Sequence, residues 1–197
     1  ASPLGLITKM PFLSAFLVLG LWPAMMTRNI DPKGGLPESI PAEFKTYYST
    51  VEDYQKAIFR GRDIYIAEAC WHCHSQYVRP ISNESAQFGL VSTAMEYENT
   101  LNLPQLFGTR RVGPDLVRES GKYTFEWHVA HFYEPRSVEP GSVMPGYTWY
   151  YDESTTPPTP KADAIALIAY VQNLGQWSSG ILRSQYSMNQ IVMPPTP

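Results

Sequence analysis

The sequence has few charged residues and no excess of positive charge. Of its 197 residues, 15 are Lys or Arg and 18 are Asp or Glu, so charged residues make up 17% of the chain and the formal net charge is −3. Domains that bind nucleic acid carry a basic face that neutralises phosphates. The composition therefore argues against nucleic acid as a partner, and the low charged fraction predicts an unusually apolar region.

Cysteine is also scarce. Two cysteines are too few to build a disulfide scaffold for a chain of 197 residues. Proline is abundant by contrast, at 18 residues. Because proline interrupts helices and central strands, it predicts a domain with long loops.

The apolar region lies at the start of the chain. Residues 4–26 contain a single charge, Lys9, and a membrane-spanning helix needs about 20 mostly apolar residues. We therefore predict that residues 1–28 form a single transmembrane anchor in contact with membrane lipid. The alternatives are a cleaved signal peptide and a buried core helix.

The rest of the chain divides into three parts. Residues 29–50 are rich in proline and glycine and are predicted to be a linker. Residues 51–175 form the predicted domain. Residues 176–197 form a tail with no clear hydrophobic period.

Helical periodicity appears in three places within the predicted domain. The predicted helices run from about Val51 to Ala69, from Tyr123 to Tyr133 and from Ala162 to Leu174. Residues 82–107 show no sustained period and are predicted to be a long loop. The fold class is therefore mainly α, with an N-terminal transmembrane helix and a helical domain with long loops.

The third helix has recognisable end signals. Thr159 and Pro160 are favoured residues for the N-cap and the first helical position, and Gly175 is favoured just after a helix. The preceding residues 152–160 are predicted to be a turn or linker.

The motif that carries chemistry is Cys70-Trp71-His72-Cys73-His74. C-x-x-C-H is the attachment signature of c-type haem. Two thiols about one helical turn apart can each add to a different vinyl group of one porphyrin, and the next residue, His74, then reaches the iron from one side.

Two other functions use a similar cysteine pair. A thioredoxin-like redox site needs alternating strands and helices, which this sequence does not show. A zinc site needs a second pair of ligands, which His128 and His131 could supply. The zinc hypothesis leaves the histidine after Cys73 unexplained.

A c-type haem usually has a second axial ligand, which is Met or His. Met144 is the main candidate, because the Pro and Gly residues around it form a rigid loop that can direct a thioether at iron. Met95 is the methionine rival. His128 or His131 would instead give a bis-histidine haem of lower potential.

Residues farther along the chain could support the haem. Pro114 lies in a rigid turn whose carbonyl could accept a hydrogen bond from the N–H of His74. Arg79, Arg110 and Arg111 are candidates for pairing with haem propionates. Structural salt bridges are the alternative for each arginine.

The motif order C-x-x-C-H, G-P-x-L, Met loop and terminal helix resembles class I cytochrome c. Residues 61–76, Arg79-Pro80, 109–116 and 127–147 resemble more specifically the mono-haem subunit of cbb3-type cytochrome c oxidases, a subunit of the haem-copper oxidase superfamily. The similarity extends over roughly residues 12–149. It implies one covalent haem c, with Cys70, Cys73, His74 and Met144 as its ligands.

The resemblance also implies a function. It implies a subunit that relays electrons from a di-haem or soluble cytochrome c donor to haem b of the catalytic haem-copper subunit, which reduces O₂. The chain would be single-pass in the inner (cytoplasmic) membrane with its haem domain on the periplasmic face. It would not be an enzyme on its own, since the sequence shows no acid–base pair or nucleophile arrangement. The alternatives are the small cytochrome c subunit of a nitric oxide reductase, a free-standing anchored cytochrome c and a haem-c enzyme such as a peroxidase.

Overall fold

The computed structural model describes residues 10–22, 34–108 and 110–176. The predicted anchor, 1–28, is described only over 10–22, which are helical and include a π-helical stretch at Phe16–Leu21. Within the described ranges, no helix has both the length and the apolar character needed to cross a bilayer. The predicted tail lies outside the described residues except for Gln176.

The described part of the chain is mainly helical, as predicted. Its α-helices are α1 (Val51–Ala67), α2 (Cys70–Cys73), α3 (Glu84–Phe88), α4 (Phe125–Tyr133) and α5 (Ala162–Asn173). Five 3-10 turns lie at Ala42–Phe44, Ala94–Tyr97, Thr100–Asn102, Pro135–Ser137 and Thr148–Tyr150. Two short strands, β1 (Tyr151–Asp152) and β2 (Thr159–Pro160), pair antiparallel with Tyr151 opposite Pro160.

The centre of the domain is the contact between α1 and α5. Residues 164–173 of α5 are all buried, so this helix is covered on every side rather than along one stripe. Tyr65 of α1 packs edge-on against Tyr170 of α5, with ring centroids 5.4 Å apart. Both tyrosines are almost inaccessible to solvent, and burial of this aromatic area stabilises the helix pair.

Residues 34–50 pack against this core. Phe44 is fully buried and meets the Phe125 ring edge-on at 5.4 Å. The Gly35 carbonyl accepts a hydrogen bond from Asn173 Nδ2 at 2.7 Å. The described part of the predicted linker is therefore held in place by side-chain contacts with α4 and α5.

All three predicted helices are present, with shifted ends. The first ends at Ala67, two residues early, because Ala69 adopts a left-handed conformation with φ 55°. The second begins at Phe125, because the Thr124 side chain accepts a hydrogen bond from the Trp127 N–H and caps it.

Two predictions of local structure are wrong. Thr159 is not the N-cap of α5; Lys161 takes that position, because Thr159 and Pro160 form β2 instead. Residues 82–107 are not a featureless loop, since they contain α3 and two 3-10 turns. These elements are too short to show hydrophobic periodicity, and one is fixed by a capping box between Thr93 and Glu96.

Candidate haem-binding site

The two cysteines lie on one short helical turn. Ala69, in its left-handed conformation, separates α2 from α1 and turns the chain so that α2 begins at Cys70. Cys70 is half-buried and Cys73 is exposed, and both are free thiols. Burial is the main cause that raises the pKa of Cys70 to about 12. The chain thus presents two free thiols about one turn apart.

His74 is held in a single orientation. Its Nδ1 lies 2.9 Å from the carbonyl oxygen of Pro114. Because a carbonyl oxygen only accepts, Nδ1 carries the proton and Nε2 is the nitrogen left to bind a metal. Burial lowers the pKa of His74, which favours the neutral imidazole that metal ligation requires.

Gly113 lies directly against the His74 ring. A Cβ on Gly113 would come within 2.3 Å of Cε1 and 2.7 Å of Nδ1 of His74. The Gly113 N–H also donates to the Cys73 carbonyl at 3.0 Å. Glycine is therefore required here by a close approach of backbone to an imidazole, a role that the sequence motif alone did not reveal.

Asp115 is a second residue that sequence reasoning missed. It is 2% exposed and accepts hydrogen bonds from Ser75 Oγ at 2.6 Å and from the N–H groups of Tyr77 and Val117, each at 2.9 Å. These bonds hold the segment after His74 against the Pro114 turn. The only sequence signal was the acidic residue that follows proline in that turn.

Met144 lies in a loop that is attached to the same region. Its side chain is half-buried and packs against the main core, as do Cys70 and Trp71. Three residues later, the Tyr147 N–H donates to the Phe132 carbonyl at 2.8 Å, and the Tyr147 phenol lies close enough to the Cys70 thiol to affect its pKa. The Met144 loop is therefore fixed between Cys70 and the end of α4.

The rival ligand candidates have different surroundings. Met95 is 57% exposed on the 3-10 turn Ala94–Tyr97. His128 is 2% exposed, and its Nδ1 lies 2.9 Å from the Thr124 carbonyl. His131 stacks on the Trp127 ring at 4.4 Å, and its pKa is lowered to about 4, mainly by burial and then by the charge of His74.

The three candidate arginines are placed differently. Arg79 and Arg111 both pair with the nearly buried carboxylate of Glu84, and Arg111 also approaches Asp115 at 3.3 Å. Arg110 is exposed. Structural salt bridges, the alternative considered for each arginine, are present for two of them.

The zinc hypothesis needs the cysteine pair and two histidines in one cluster. Among the residues that the structure describes, which include all four of these side chains, no group of three or more His, Cys, Asp or Glu could hold a metal ion. Within these residues, the two cysteines and the two histidines therefore do not form the cluster that a zinc site needs.

Comparison with known families identifies the chain. The family model described as the cytochrome c oxidase mono-haem subunit, FixO, matches residues 32–162, roughly two thirds of the chain. The chain belongs to this family. No curated protein matches the sequence.

Membership in the FixO family confirms the resemblance to the mono-haem subunit of cbb3-type oxidases. A FixO chain is a respiratory electron-transport subunit of a cytochrome c oxidase complex and carries one haem. The matched range contains α1 to α4, the cysteine pair, His74, the Pro114 turn and Met144.

Proposed function

We propose that this chain is the membrane-anchored, mono-haem c electron-transfer subunit of a cbb3-type oxidase. It takes electrons from a di-haem or soluble cytochrome c and passes them to haem b of the catalytic haem-copper subunit, where O₂ is reduced. The observation that carries the proposal is the oriented His74 imidazole. It lies between Gly113 and the Pro114 carbonyl, directly after two free thiols.

The residues around His74 fit a covalent haem c. Cys70 and Cys73 would form the two thioethers, and addition of each S–H across a vinyl group forms one C–S and one C–H bond without an oxidant. His74 and Met144 would hold the iron through an imidazole nitrogen and a thioether sulfur. When bound, the haem supplies one-electron redox chemistry.

The residues around His74 and Met144 would set the reduction potential of the iron by acting on these two ligands. The Pro114 carbonyl makes His74 a stronger ligand by accepting its Nδ1 proton in a hydrogen bond. A Met144 thioether raises the reduction potential relative to a second histidine. The negative charge of the haem propionates would be offset by Arg110. Arg79 and Arg111, which also pair with Glu84, would contribute to the same effect.

The domain arrangement that we propose follows from the sequence. Residues 1–28 anchor the chain as a single pass in the inner membrane and contact lipid, and 29–50 lead out of it. Residues 51–175, with a class I cytochrome c-like fold, carry the haem on the periplasmic face. Residues 176–197 form a tail. Haem c maturation outside the cytoplasm supports this orientation.

The test is purification of the full chain in mild detergent, with native mass spectrometry and pyridine haemochrome spectra. We expect one haem c per chain and copurification with a haem-copper membrane subunit. Cys70→Ser with Cys73→Ser should remove the covalent haem mass, whereas Ser85→Ala, at an exposed serine of α3, should retain it.

The same experiment separates the alternatives. Copurification with a nitric oxide reductase, or extraction of the haem-loaded chain alone, would replace the oxidase assignment while keeping the electron-transfer function. A colourless polypeptide with the mass of its amino acids alone would end the proposal.

A further inference from the structure

A cavity of about 400 Å³ opens beside the start of α4, away from the cysteine pair. Tyr54 of α1 and Gln172 of α5 line its inner part. Tyr123, Glu43 and Glu126 line it toward the surface. The cavity is therefore formed by three helices and the 3-10 turn before α1.

Two buried polar atoms at this cavity lack partners. Within the described residues, neither Tyr54 Oη nor Gln172 Oε1 has a hydrogen-bond partner, although Tyr54 is fully buried and Gln172 is 8% exposed. The amide nitrogen of Gln172 already donates to the Tyr123 carbonyl at 3.3 Å. A buried polar atom without a partner is costly. Gln172 Oε1 can only accept and Tyr54 Oη can accept as well as donate, so a ligand with N–H donors would satisfy both atoms.

The charges at the cavity favour a cation. Glu43 and Glu126 are exposed at its outer part. The charge of Glu43 contributes, after burial, to raising the pKa of Tyr54, which places that carboxylate near the phenol. The nearby Lys122 is already paired with Glu119 at 3.0 Å.

Aromatic rings complete the lining. Tyr123 is 45% exposed, and Phe125 also lines the cavity. Aromatic faces attract ammonium and guanidinium groups. Carboxylates, unpartnered acceptors and aromatic faces together match the side chain of a lysine or an arginine.

Stacked rings extend from the cavity along α4. Tyr123 stacks on Trp127 with ring centroids 3.8 Å apart, and Trp127 stacks on His131 at 4.4 Å, each with an interplanar angle of 14°. The stack therefore continues from the rim of the cavity along α4 as far as His131.

We propose that this cavity is the docking point of a basic electron-transfer partner, which inserts a lysine or arginine side chain between Tyr123, Glu43 and Glu126. The inference rests on the proposed function, because a basic redox partner is expected only if the chain exchanges electrons. The occupant follows from charge complementarity between a basic partner and an acidic, acceptor-rich cavity.

The binding test uses tetralysine and the full chain in detergent, with the indole N–H resonance of Trp127 as the reporter. We expect saturable shifts, and Glu43→Gln with Glu126→Gln should weaken binding about fivefold or more. The matched control, Asp63→Asn with Glu98→Gln, removes two exposed carboxylates elsewhere and should change the affinity less than twofold. Equal weakening in both double variants, or no shift at Trp127, would overturn the proposal.

The kinetic test uses stopped-flow reduction of the haem-loaded chain. Hexaammineruthenium(II) serves as the cationic reductant and hexacyanoferrate(II) as the anionic one. The double variant at Glu43 and Glu126 should slow only the cationic reagent, about fivefold at low salt, and the difference should fade as salt rises. Tyr123→Ala should slow the same reaction and Tyr123→Phe should restore it. A uniform loss with both reagents would contradict docking at the cavity.

Two further outcomes separate this proposal from others. Tetralysine binding does not need haem. If the chain carried no haem but still bound the peptide, the proposed electron-transfer function would be wrong and the cation site would stand. Arg183 is the cation in the segment 177–197. If Arg183→Ala tightened tetralysine binding fivefold or more, the chain's own tail would supply the cation, and the partner assignment would be wrong.

Discussion

Gly61 of α1 is in backbone contact with Ala166 of α5. A Cβ on Gly61 would lie 1.9 Å from the Ala166 carbonyl oxygen and 2.8 Å from the Cβ of Tyr170. Glycine in a helix interior costs about 1 kcal/mol relative to alanine. Here the absence of a side chain at Gly61 offsets that cost, because it allows the two main helices to approach closely and bury the aromatic residues between them.

The first prediction concerns this contact. Gly61→Ala should lower the free energy of unfolding by about 3 kcal/mol, because neither helix backbone can move aside without disturbing the core. Urea unfolding followed by circular dichroism measures the change. Gly141→Ala is the matched control, since the nearest atom to its new Cβ is Glu139 Oε1 at 3.8 Å. Equal losses in the two variants would show that the contact is not the cause.

The second prediction tests the contact between Gly113 and His74. Gly113→Ala should displace the imidazole and break the His74–Pro114 hydrogen bond, because the new Cβ would overlap the ring. We expect a lower haem content per chain and an altered ferric absorption spectrum, while Gly141→Ala keeps both. A normal spectrum at full haem content in Gly113→Ala would contradict the role of Gly113.

The third prediction tests the axial ligand. Met144→Ala should convert ferric haem from low spin to high spin, remove the methionine–iron absorption band and lower the reduction potential. Met95→Ala, at an exposed methionine, should leave all three unchanged. If the spectra respond to Met95 or to His131 instead, the proposed ligand is wrong.

The fourth prediction concerns acid stability. Arg79, and then Arg111, lower the pKa of Glu84 to about 2, from an ordinary value of 4.5. Because the folded-state pKa is depressed, this carboxylate stabilises the protein fully above about pH 4.5 and progressively less as the pH falls toward 2. We expect Glu84→Gln to cost about 2 kcal/mol at neutral pH, and the difference from the wild type should shrink below pH 4.5.

The measurement is urea unfolding between pH 3 and pH 7 for the wild type, Glu84→Gln and Glu98→Gln. Glu98 is exposed, so its substitution controls for the loss of one carboxylate. A constant difference between Glu84→Gln and the wild type across this pH range would show that the ion pair is not the source of the pH dependence.

Much of the fold could be predicted because its signals are local. The periodicity of α1, α4 and α5 follows from their own side chains. Their exact ends could not be predicted, because the left-handed Ala69 and the pairing of β2 with β1 depend on contacts with other segments. The short elements in 82–107 were missed for the same reason.

The candidate site was predicted unevenly. The cysteine pair and His74 follow from a fixed spacing, and the Pro114 carbonyl follows from its place in a rigid turn. Arg111 gave no local signal of its partner, because Glu84 lies 27 residues earlier in the chain and meets it only where α3 and the Pro114 turn line the same cavity. Long-range pairing of charges is invisible to residue order.

Residue types and spacing alone specify the groups of the candidate site: two thiols one turn apart, a histidine beside them and a methionine between prolines and glycines. These depend on residue type and spacing, which are local properties. The folded arrangement adds that Gly113 must be glycine, that Asp115 holds the His74 segment and that Tyr123, Trp127 and His131 stack along α4. Those relationships depend on how distant segments pack against one another and exclude water. No local sequence pattern encodes such contacts.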